Sequence, residues 1–273
     1  MTCLRIKLSP FSLRDTLECG QFFRYRRVSG TYRVQSSNRI FSLCQKGDFL
    51  YYDGVDQDFL VHFFRLDEDF ELILRKIDQD PTIHQAIQRY RGMRLIRQDP
   101  WECLLSFLCS SAKRIDQIRS IIERLCRCSG EKIASGNMIS YGFPEPFRIR
   151  NLTELEEVRA GFRAPYLLAV NKCVDRAQLL QLKRMPYDRA RQSLMKLPGV
   201  GEKIADCVLL YSLDFLQAFP IDTWIRKGLQ RVYRIREQAM EEFASNHFGA
   251  YAGYAQLYLF HFWRQNPQLI QIS

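Results

Sequence analysis

The chain has 273 residues, with 40 Lys or Arg against 30 Asp or Glu, which gives a formal net charge of +10 at pH 7. This balance excludes an acidic interaction tail and favours a polyanionic partner, with nucleic acid first and an anionic membrane surface second. No apolar run approaches the ~20 residues that span a bilayer, and "MTCLRIKLSP" at the start lacks the apolar stretch of a signal peptide, so we expect an intracellular protein that is not secreted.

Cysteine usage argues against a metal centre. The nine cysteines are an odd number scattered along the chain, and several lie in apolar helical patterns that are typical of reduced, buried thiols. Cys126 and Cys128 are separated by one residue, and no second Cys or His pair follows them at zinc spacing. No cysteine follows Cys207, so the C-terminal part cannot supply the thiolates of an iron-sulfur cluster. We expect no metal cofactor.

The first part of the chain predicts a sheet. Residues 20–55 contain short β-favouring runs, "QFFRYRRV", "TYRVQ", "RIFSLC" and "DFLYYDG", separated by "SG", "SSN" and "KGD". Such spacing predicts an antiparallel meander. From about residue 57 the apolar period becomes helical, so we expect residues 1–95 to form a mixed domain with an antiparallel sheet.

The rest of the chain predicts helices. Asp99 followed by Pro100 is typical of a helix start, and "SSAKR" should separate that helix from the next. The stretch "CSGEKIASGNMISYGFPEPF" has no strong period and predicts a long connection. Helical patterns follow in "LTELEEVRAGF", "APYLLAVNKCVDRAQLL", "YDRARQSLMKL", "EKIADCVLLYSLDFL", "DTWIRKGLQRVY" and "YAGYAQLYLFHFWRQ". The expected fold class is α+β, with the N-terminal sheet followed by two helical subdomains at residues 96–220 and 221–273.

The stretch "RQSLMKLPGVGEKIADCVLL", within residues 190–216, predicts two helices joined by a very short turn. Gly199 and Gly201 suit such a turn, because glycine takes positive φ cheaply and lets a foreign backbone approach. The start of the second helix offers free N–H groups and partial positive charge, and a phosphate satisfies both. The pattern is typical of a helix-hairpin-helix, which grips DNA by its backbone; a purely structural helix corner is the alternative.

Two residues near this turn are candidates for chemistry. Lys203 lies in the first turn of the second predicted helix, where it could be one more phosphate contact or a solvated charge. The positive helix end and apolar neighbours disfavour an ammonium ion, which favours an amine nucleophile. Asp222 follows "FPI" and has the position of an N-cap. A fixed carboxylate beside an amine also suits cleavage of an N-glycosidic bond, because positive charge develops on the sugar.

Lysine in the hairpin and aspartate after "FPI" resemble the helix-hairpin-helix DNA glycosylases with lyase activity, the HhH-GPD superfamily. Three further stretches, "CGQFFRY", "SFLCSSAKRIDQIRSIIERLC" and "GYAQLYLF", are similar to the 8-oxoguanine DNA glycosylases within it. The resemblance implies that Lys203 attacks the deoxyribose C1′ and that Asp222 stabilises the developing charge. It also implies contacts to the flipped base by Gly20 to the N7 hydrogen, Gln256 to the Watson–Crick edge, and Phe260 and Cys207 to the two faces.

Simpler interpretations exist for the base contacts. Phe260 lies in an apolar stripe with Leu257 and Trp263 that core packing would explain. Cys207 has the context of an inert buried thiol, and Gly20 that of a turn before a strand.

The sequence departs from the family pattern on the side that faces the opposite strand. Ala112, Lys113 and Arg114 follow the serines where the family commonly has asparagines, and Gln117 stands where an arginine often reads the estranged cytosine. The resemblance also assigns Arg163 of "GFRAPY" to the estranged base and places Trp224 where a histidine is often found near the phosphate. These departures indicate a divergent prokaryotic relative with relaxed choice of the opposite base.

The sequence thus predicts a bifunctional DNA glycosylase and AP lyase that excises 8-oxoguanine from duplex DNA as a monomer. Residues 221–273 would complete the base pocket. No organic cofactor is expected, although the hairpin carbonyls offer a place for a monovalent cation. The expected location is the cytoplasm or nucleoid of a prokaryote, or the nucleus of a eukaryote. The alternatives are a glycosylase for another damaged base and a non-catalytic DNA-binding protein that uses the hairpin as a clamp.

Overall fold

A five-stranded antiparallel sheet forms the N-terminal part of the protein, whose computed structural model describes residues 4–111, 113–135 and 138–270. Its strands are β1 (Leu4–Lys7), β2 (Tyr25–Val28), β3 (Thr31–Ser36), β4 (Arg39–Lys46) and β5 (Phe49–Asp53). Their order across the sheet is β1-β5-β4-β3-β2. The predicted meander from β2 to β5 is confirmed, but only the second half of "QFFRYRRV" is a strand, and neither β1 nor the short helix α1 (Leu13–Glu18) was predicted.

One face of this sheet is apolar because buried side chains alternate along its strands. Val34 of β3 pairs with Phe41 of β4, and Leu43 of β4 pairs with Tyr52 of β5; all four are buried. Helix α2 (Gln57–Phe63) covers this face, and the ring of Phe63 packs edge-on against Phe41 with centroids 5.7 Å apart. The sheet therefore has a hydrophobic core of its own.

Aspartate residues start the next three helices, as helix N-caps commonly do. α3 (Phe70–Ile77) begins after Asp69, α4 (Pro81–Arg89) after Asp80, and α5 (Pro100–Leu108) after Asp99. The predicted start at Asp99 and Pro100 is confirmed, and "SSAKR" does separate α5 from α6 (Ile115–Ser129). Residues 101–108 of α5 are all buried, so this helix runs through the centre of the protein.

The prediction that "CSGEKIASGNMISYGFPEPF" forms a long connection was wrong in part. β6 (Lys132–Ser135) and β7 (Met138–Tyr141) form a two-stranded antiparallel hairpin within it. The short strands are held from outside, since Tyr141 O accepts hydrogen bonds from Arg24 and Gln35 of the main sheet region. A sequence window on the hairpin alone carries no trace of these partners.

Helices fill the remainder of the chain. They are α7 (Leu152–Glu157), α8 (Ala164–Cys173), α9 (Arg176–Gln181), α10 (Tyr187–Met195), α11 (Glu202–Ser212), α12 (Thr223–Arg231), α13 (Met240–Phe248) and α14 (Ala252–Gln265). The helical pattern "APYLLAVNKCVDRAQLL" forms two helices, α8 and α9, because Asp175 is the N-cap of α9. Helix α13 was not predicted.

A second and larger hydrophobic core joins these helices. Side chains from α3 and α4 belong to it and pack against α14, together with Cys19 and Phe23 from the N-terminal region. The division of the chain near residues 95 and 220 stays a prediction. None of the helices in the described residues combines the length and the hydropathy that a bilayer span requires.

Candidate active site

The turn between α10 and α11 has the tight geometry that its glycines predict. Gly199 has a φ of +77°, and a Cβ there would lie 2.6 Å from Cγ of Tyr166. The expectation of positive φ was wrong for Gly201, whose φ is −94°. Gly201 instead leaves open space where a side chain would stand, and as the N-cap of α11 it has no side chain to cover the first N–H groups. Both features suit the approach of a phosphate.

Lys203 lies one residue inside the start of α11 and is half-buried. Its Nζ donates a hydrogen bond to Oγ of Ser110 over 3.1 Å and lies 4.9 Å from the centroid of the Phe107 ring. Ser110 donates its own hydroxyl hydrogen to the Phe107 carbonyl over 2.6 Å, so its oxygen lone pairs are what Lys203 meets. These contacts hold the amine at the wall of a cavity.

Asp222 is the N-cap of α12, as predicted. Its Oδ1 accepts hydrogen bonds from the N–H groups of Trp224 (3.0 Å) and Ile225 (2.9 Å). Burial raises the pKa of Asp222, while the Ile225 N–H and the charge of Lys203 oppose that rise. The carboxylate is therefore fixed in place and electrostatically coupled to the amine.

Two helix faces line the cavity, which has a volume of about 930 Å³. Each face carries three side chains at intervals of four residues, which places them on one side of a helix. They are Lys203, Cys207 and Tyr211 on α11, and Gln256, Phe260 and Arg264 on α14. Asp222, Trp224 and Gly20 complete the wall from other elements. The structure thus brings the predicted catalytic and base-binding residues to one cavity.

The protonation of Cys207 and the orientation of the Gln256 amide are both fixed in this cavity. Burial raises the pKa of Cys207 to about 12, with Lys203 opposing the rise, so a neutral thiol faces the cavity at physiological pH. Gln256 is buried; its Nε2 donates to the Pro220 carbonyl (3.1 Å), and its Oε1 accepts from the hydroxyl of Tyr211 (3.4 Å). The two partners fix which end of the amide is the donor and which the acceptor.

Gly20 lies where a side chain could not fit. Its φ is +103°, and a Cβ would lie 2.8 Å from both Nη1 of Arg264 and Cδ1 of Ile115, and 3.4 Å from Phe260. Arg264 cannot easily withdraw, because its Nη2 donates to the Glu18 carbonyl over 2.8 Å. The residue therefore combines the turn that the simpler interpretation required with a place at the cavity wall.

Sequence reasoning missed several cavity residues. Tyr211 and Arg264 continue the four-residue spacing of Cys207 and Phe260, so the helical period was a signal that could have found them. Ser110 lies in the quoted "CSS" motif. His261 also lines the cavity, where burial, followed by Arg264 and Arg14, lowers its pKa to about 4.

The candidates for the opposite strand have mixed surroundings. Lys113 and Arg114 are exposed and line the cavity. Gln117 is exposed, but its Oε1 accepts the N–H of Arg114 over 3.2 Å, so the side chain serves the start of α6. Ala112 lies outside the described residues.

Arg163 and Trp224 were also predicted to contact DNA. Arg163 is 2% exposed; Nη1 donates to the Ala160 carbonyl over 3.2 Å, and the guanidinium packs 4.1 Å from the centroid of Phe162. Contact between Arg163 and an estranged base would therefore require its side chain to turn outward. The neighbouring side chain of Phe162 is 61% exposed and needs no such movement to reach a ligand. Trp224 is half-buried at the cavity wall. Both assignments stay predictions.

Metal ligands do not cluster in the described part of the chain, where no group of three or more His, Cys, Asp or Glu side chains could hold an ion. A monovalent cation on the hairpin carbonyls stays a prediction.

Known proteins match the chain over most of its length. Residues 3–104 match the family model for the N-terminal domain of 8-oxoguanine DNA glycosylase. The N-glycosylase/DNA lyase OGG1 of Arabidopsis thaliana is 31% identical, over 94% of this chain and 78% of that protein.

Solved structures match the whole fold. The structure of MBOgg1 in complex with a low-affinity DNA ligand has a TM-score of 0.92 at 33% identity and covers 98% of this chain and 97% of its own. The 8-oxoguanine glycosylase/lyase of Clostridium acetobutylicum, solved with duplex DNA containing cytosine opposite 8-oxoguanine, has a TM-score of 0.89 at 30% identity, covering 94% of this chain and 93% of its own. The chain belongs to the 8-oxoguanine DNA glycosylase family of N-glycosylase/DNA lyases.

Proposed function

We propose that this protein removes 8-oxoguanine from duplex DNA and then cleaves the abasic strand, with Lys203 as the nucleophile and Asp222 as the stabilising carboxylate. The observation that carries the proposal is the shared cavity, which is lined by the amine of Lys203, the half-buried carboxylate of Asp222 and the candidate base-contacting residues. A cavity of about 930 Å³ is large enough to admit a flipped nucleotide.

The chemistry proceeds by substitution at the sugar. The Lys203 amine forms a bond to C1′ as the N-glycosidic bond breaks, and the electron pair of that bond leaves with the base, which takes up a proton. Asp222 stabilises the positive charge that develops on the sugar. The nitrogen then loses a proton, the C1′–O4′ bond breaks, and O4′ takes up a proton to become a hydroxyl, which leaves a protonated imine between Lys203 and C1′. Loss of a C2′ proton forms the C2′–C3′ double bond, and the electron pair of the C3′–O bond leaves with the 3′ phosphate.

Recognition of the base uses the cavity walls. Phe260 and the neutral thiol of Cys207 offer two faces between which a purine ring stacks, and the fixed amide of Gln256 meets its Watson–Crick edge. The Gly20 carbonyl accepts the N7 hydrogen that 8-oxoguanine has and guanine lacks. Normal guanine would set two acceptors against each other in a dry site, which costs about 1–3 kcal/mol or more.

DNA is held by the hairpin and by the surface around the cavity. Gly199 and Gly201 present backbone N–H groups to phosphates of the damaged strand. Lys113, Arg114 and Trp224 border the cavity and contact the kinked duplex. Arg163 reaches the estranged base only after its buried side chain turns outward, and Gln117 is held at the start of α6. The protein acts as a monomer without an organic cofactor, in the nucleoid of a prokaryotic cell or the nucleus of a eukaryotic one.

Borohydride trapping on an 8-oxoguanine duplex tests this proposal, because the imine becomes a stable covalent complex. Lys203→Gln should lose the trapped band and keep DNA affinity, while Lys172→Gln, an exposed lysine in the last turn of α8, should trap like the wild type. Asp222→Asn keeps an N-cap acceptor and loses the charge, so excision should fall by about 100-fold or more with little loss of stability. Unchanged trapping by Lys203→Gln would refute the assignment of the nucleophile.

A further inference from the structure

A second large cavity lies between the main sheet, α6 and the β6–β7 hairpin, with a volume of about 1070 Å³. We call it the arginine groove, because six arginines and only two carboxylates line it. The arginines are Arg24, Arg26, Arg33, Arg119, Arg124 and Arg127, and the carboxylates are Asp116 and Glu123. A cleft lined by one sign of charge concentrates its field and attracts the opposite charge.

Like charges face each other directly inside this groove. Arg26 of β2 and Arg33 of β3 are cross-strand partners, an arrangement that destabilises a sheet when nothing neutralises it. Glu123 is shared, at 3.4 Å from Arg26 and 3.3 Å from Arg127, so one carboxylate serves two cations. The sheet therefore carries an electrostatic cost that a bound anion would remove.

Neutral partners hold other arginines of the groove without cancelling their charge. The guanidinium of Arg119 lies 4.0 Å from the centroid of the Tyr25 ring and donates to the Tyr25 carbonyl. Arg124 donates to the Val158 carbonyl over 2.7 Å and to Ser120 Oγ over 2.6 Å. Such contacts orient a planar guanidinium for phosphate while leaving its positive charge in place.

Arg24 supplies a buried cation at the base of the groove. It is 8% exposed, and its Nη2 donates to Gln35 Oε1 (2.7 Å) and to the Tyr141 carbonyl (2.6 Å). Its Nε and Nη1 are buried and have no hydrogen-bond partner in the described part of the chain. Burying a guanidinium whose N–H groups have no acceptor costs free energy of folding. Arg24 is therefore not explained by stabilisation of the fold alone.

The groove adjoins the cavity that holds Lys203. Phe23 and Tyr25 line both spaces, and α6 runs from the loop beside the active site along one wall of the groove. We propose that the arginine groove binds the phosphodiester backbone of the duplex that flanks the lesion, extending the DNA contact over the N-terminal sheet. This inference rests on the proposed function, because it needs a duplex seated at the first cavity.

Binding measured on duplexes of two lengths tests the groove. The full chain is titrated with undamaged and 8-oxoguanine duplexes of about 10 and about 30 base pairs, roughly one and three helical turns, over a salt series. Arg33→Ala, Arg127→Ala and the double variant remove exposed charges, and Arg75→Ala, on an exposed position of α3, is the matched control. Thermal unfolding checks that each variant is folded.

We expect each single groove variant to lower the salt slope of affinity for the long duplex by about 1, and the double variant by about 2. The affinity lost between roughly 50 and 200 mM salt should then shrink about three- to fourfold per arginine. The control should match the wild type. An unchanged slope, or an equal change on both lengths, would overturn the proposal. Because undamaged duplex reports on the groove, failure of excision would count against the proposed function alone.

Discussion

Replacing Gly20 by alanine should separate excision of the base from cleavage of the strand. At φ +103° an L-residue costs about 1–3 kcal/mol. The new methyl group would also meet Arg264 Nη1 and Ile115 Cδ1 at 2.8 Å, and relief of such overpacking costs roughly 1–3 kcal/mol more. Because Arg264 is tied to Glu18, the backbone of Gly20 must shift. A shift of about 1 Å at a positioning group lowers turnover by roughly 100-fold.

Single-turnover assays on two substrates measure this separation. With an 8-oxoguanine duplex, we expect Gly20→Ala to be slower by about 100-fold, whereas strand cleavage of a preformed abasic site, which has no base to seat, should stay near the wild-type rate. Gly47→Ala is the matched control, since Gly47 has a φ of +56° and nothing within 4 Å of its Cβ position. Equal loss on both substrates, or no loss on either, would refute the assignment of Gly20 to the base.

Three further predictions concern single side chains. Tyr211→Phe removes the hydroxyl that donates to Gln256, so excision should fall by about three- to tenfold in single-turnover assays, and an unchanged rate would leave the hydroxyl without a role. Burial, followed by the charge of Asp99, raises the pKa of Glu102 from 4.5 to about 7. The folded protein therefore holds the Glu102 proton more tightly than the unfolded chain does. The protonated side chain makes its full contribution to the stability of the fold below about pH 4.5, and this contribution is lost as the pH rises through 7. In thermal unfolding, the free energy of unfolding of Glu102→Gln should exceed that of the wild type by up to about 3 kcal/mol above pH 7 and should equal it near pH 4. A difference that does not change with pH would contradict the raised pKa of Glu102. Gln117→Ala should lower stability slightly and leave the ratios of excision opposite each base unchanged, because its Oε1 already caps α6; altered ratios would assign it to readout.

The positions of the candidate catalytic residues were accessible from the sequence because their signals are local. The hairpin glycines, Lys203 one residue inside α11, and Asp222 as the cap of α12 all depend on a few consecutive residues. Tyr211 and Arg264 were missed, although they extend a four-residue spacing, because a tyrosine and an arginine in an apolar helix do not signal a pocket by themselves. Which helix faces meet is decided by tertiary packing.

The remaining differences arise from contacts between distant segments. The β6–β7 hairpin depends on hydrogen bonds from Arg24 and Gln35, about a hundred residues earlier, and no local window contains that information. The burial of Arg163 is similar, since a basic residue in a loop would ordinarily be placed in solvent. The sheet was predictable because its alternation and its turns lie within one short stretch.

The four-residue spacing of the cavity-lining side chains on α11 and α14 makes the cavity tolerant of substitution and intolerant of insertion. Replacing one of these side chains, such as Tyr211 or Arg264, changes the cavity wall at that position and leaves the other side chains aligned. One residue added between Lys203 and Tyr211 would turn everything beyond it by about 100° and point the tyrosine away from the cavity. Members of this family should therefore change their lesion preference by substitutions at these cavity-lining positions, while the lengths of the two helices stay constant.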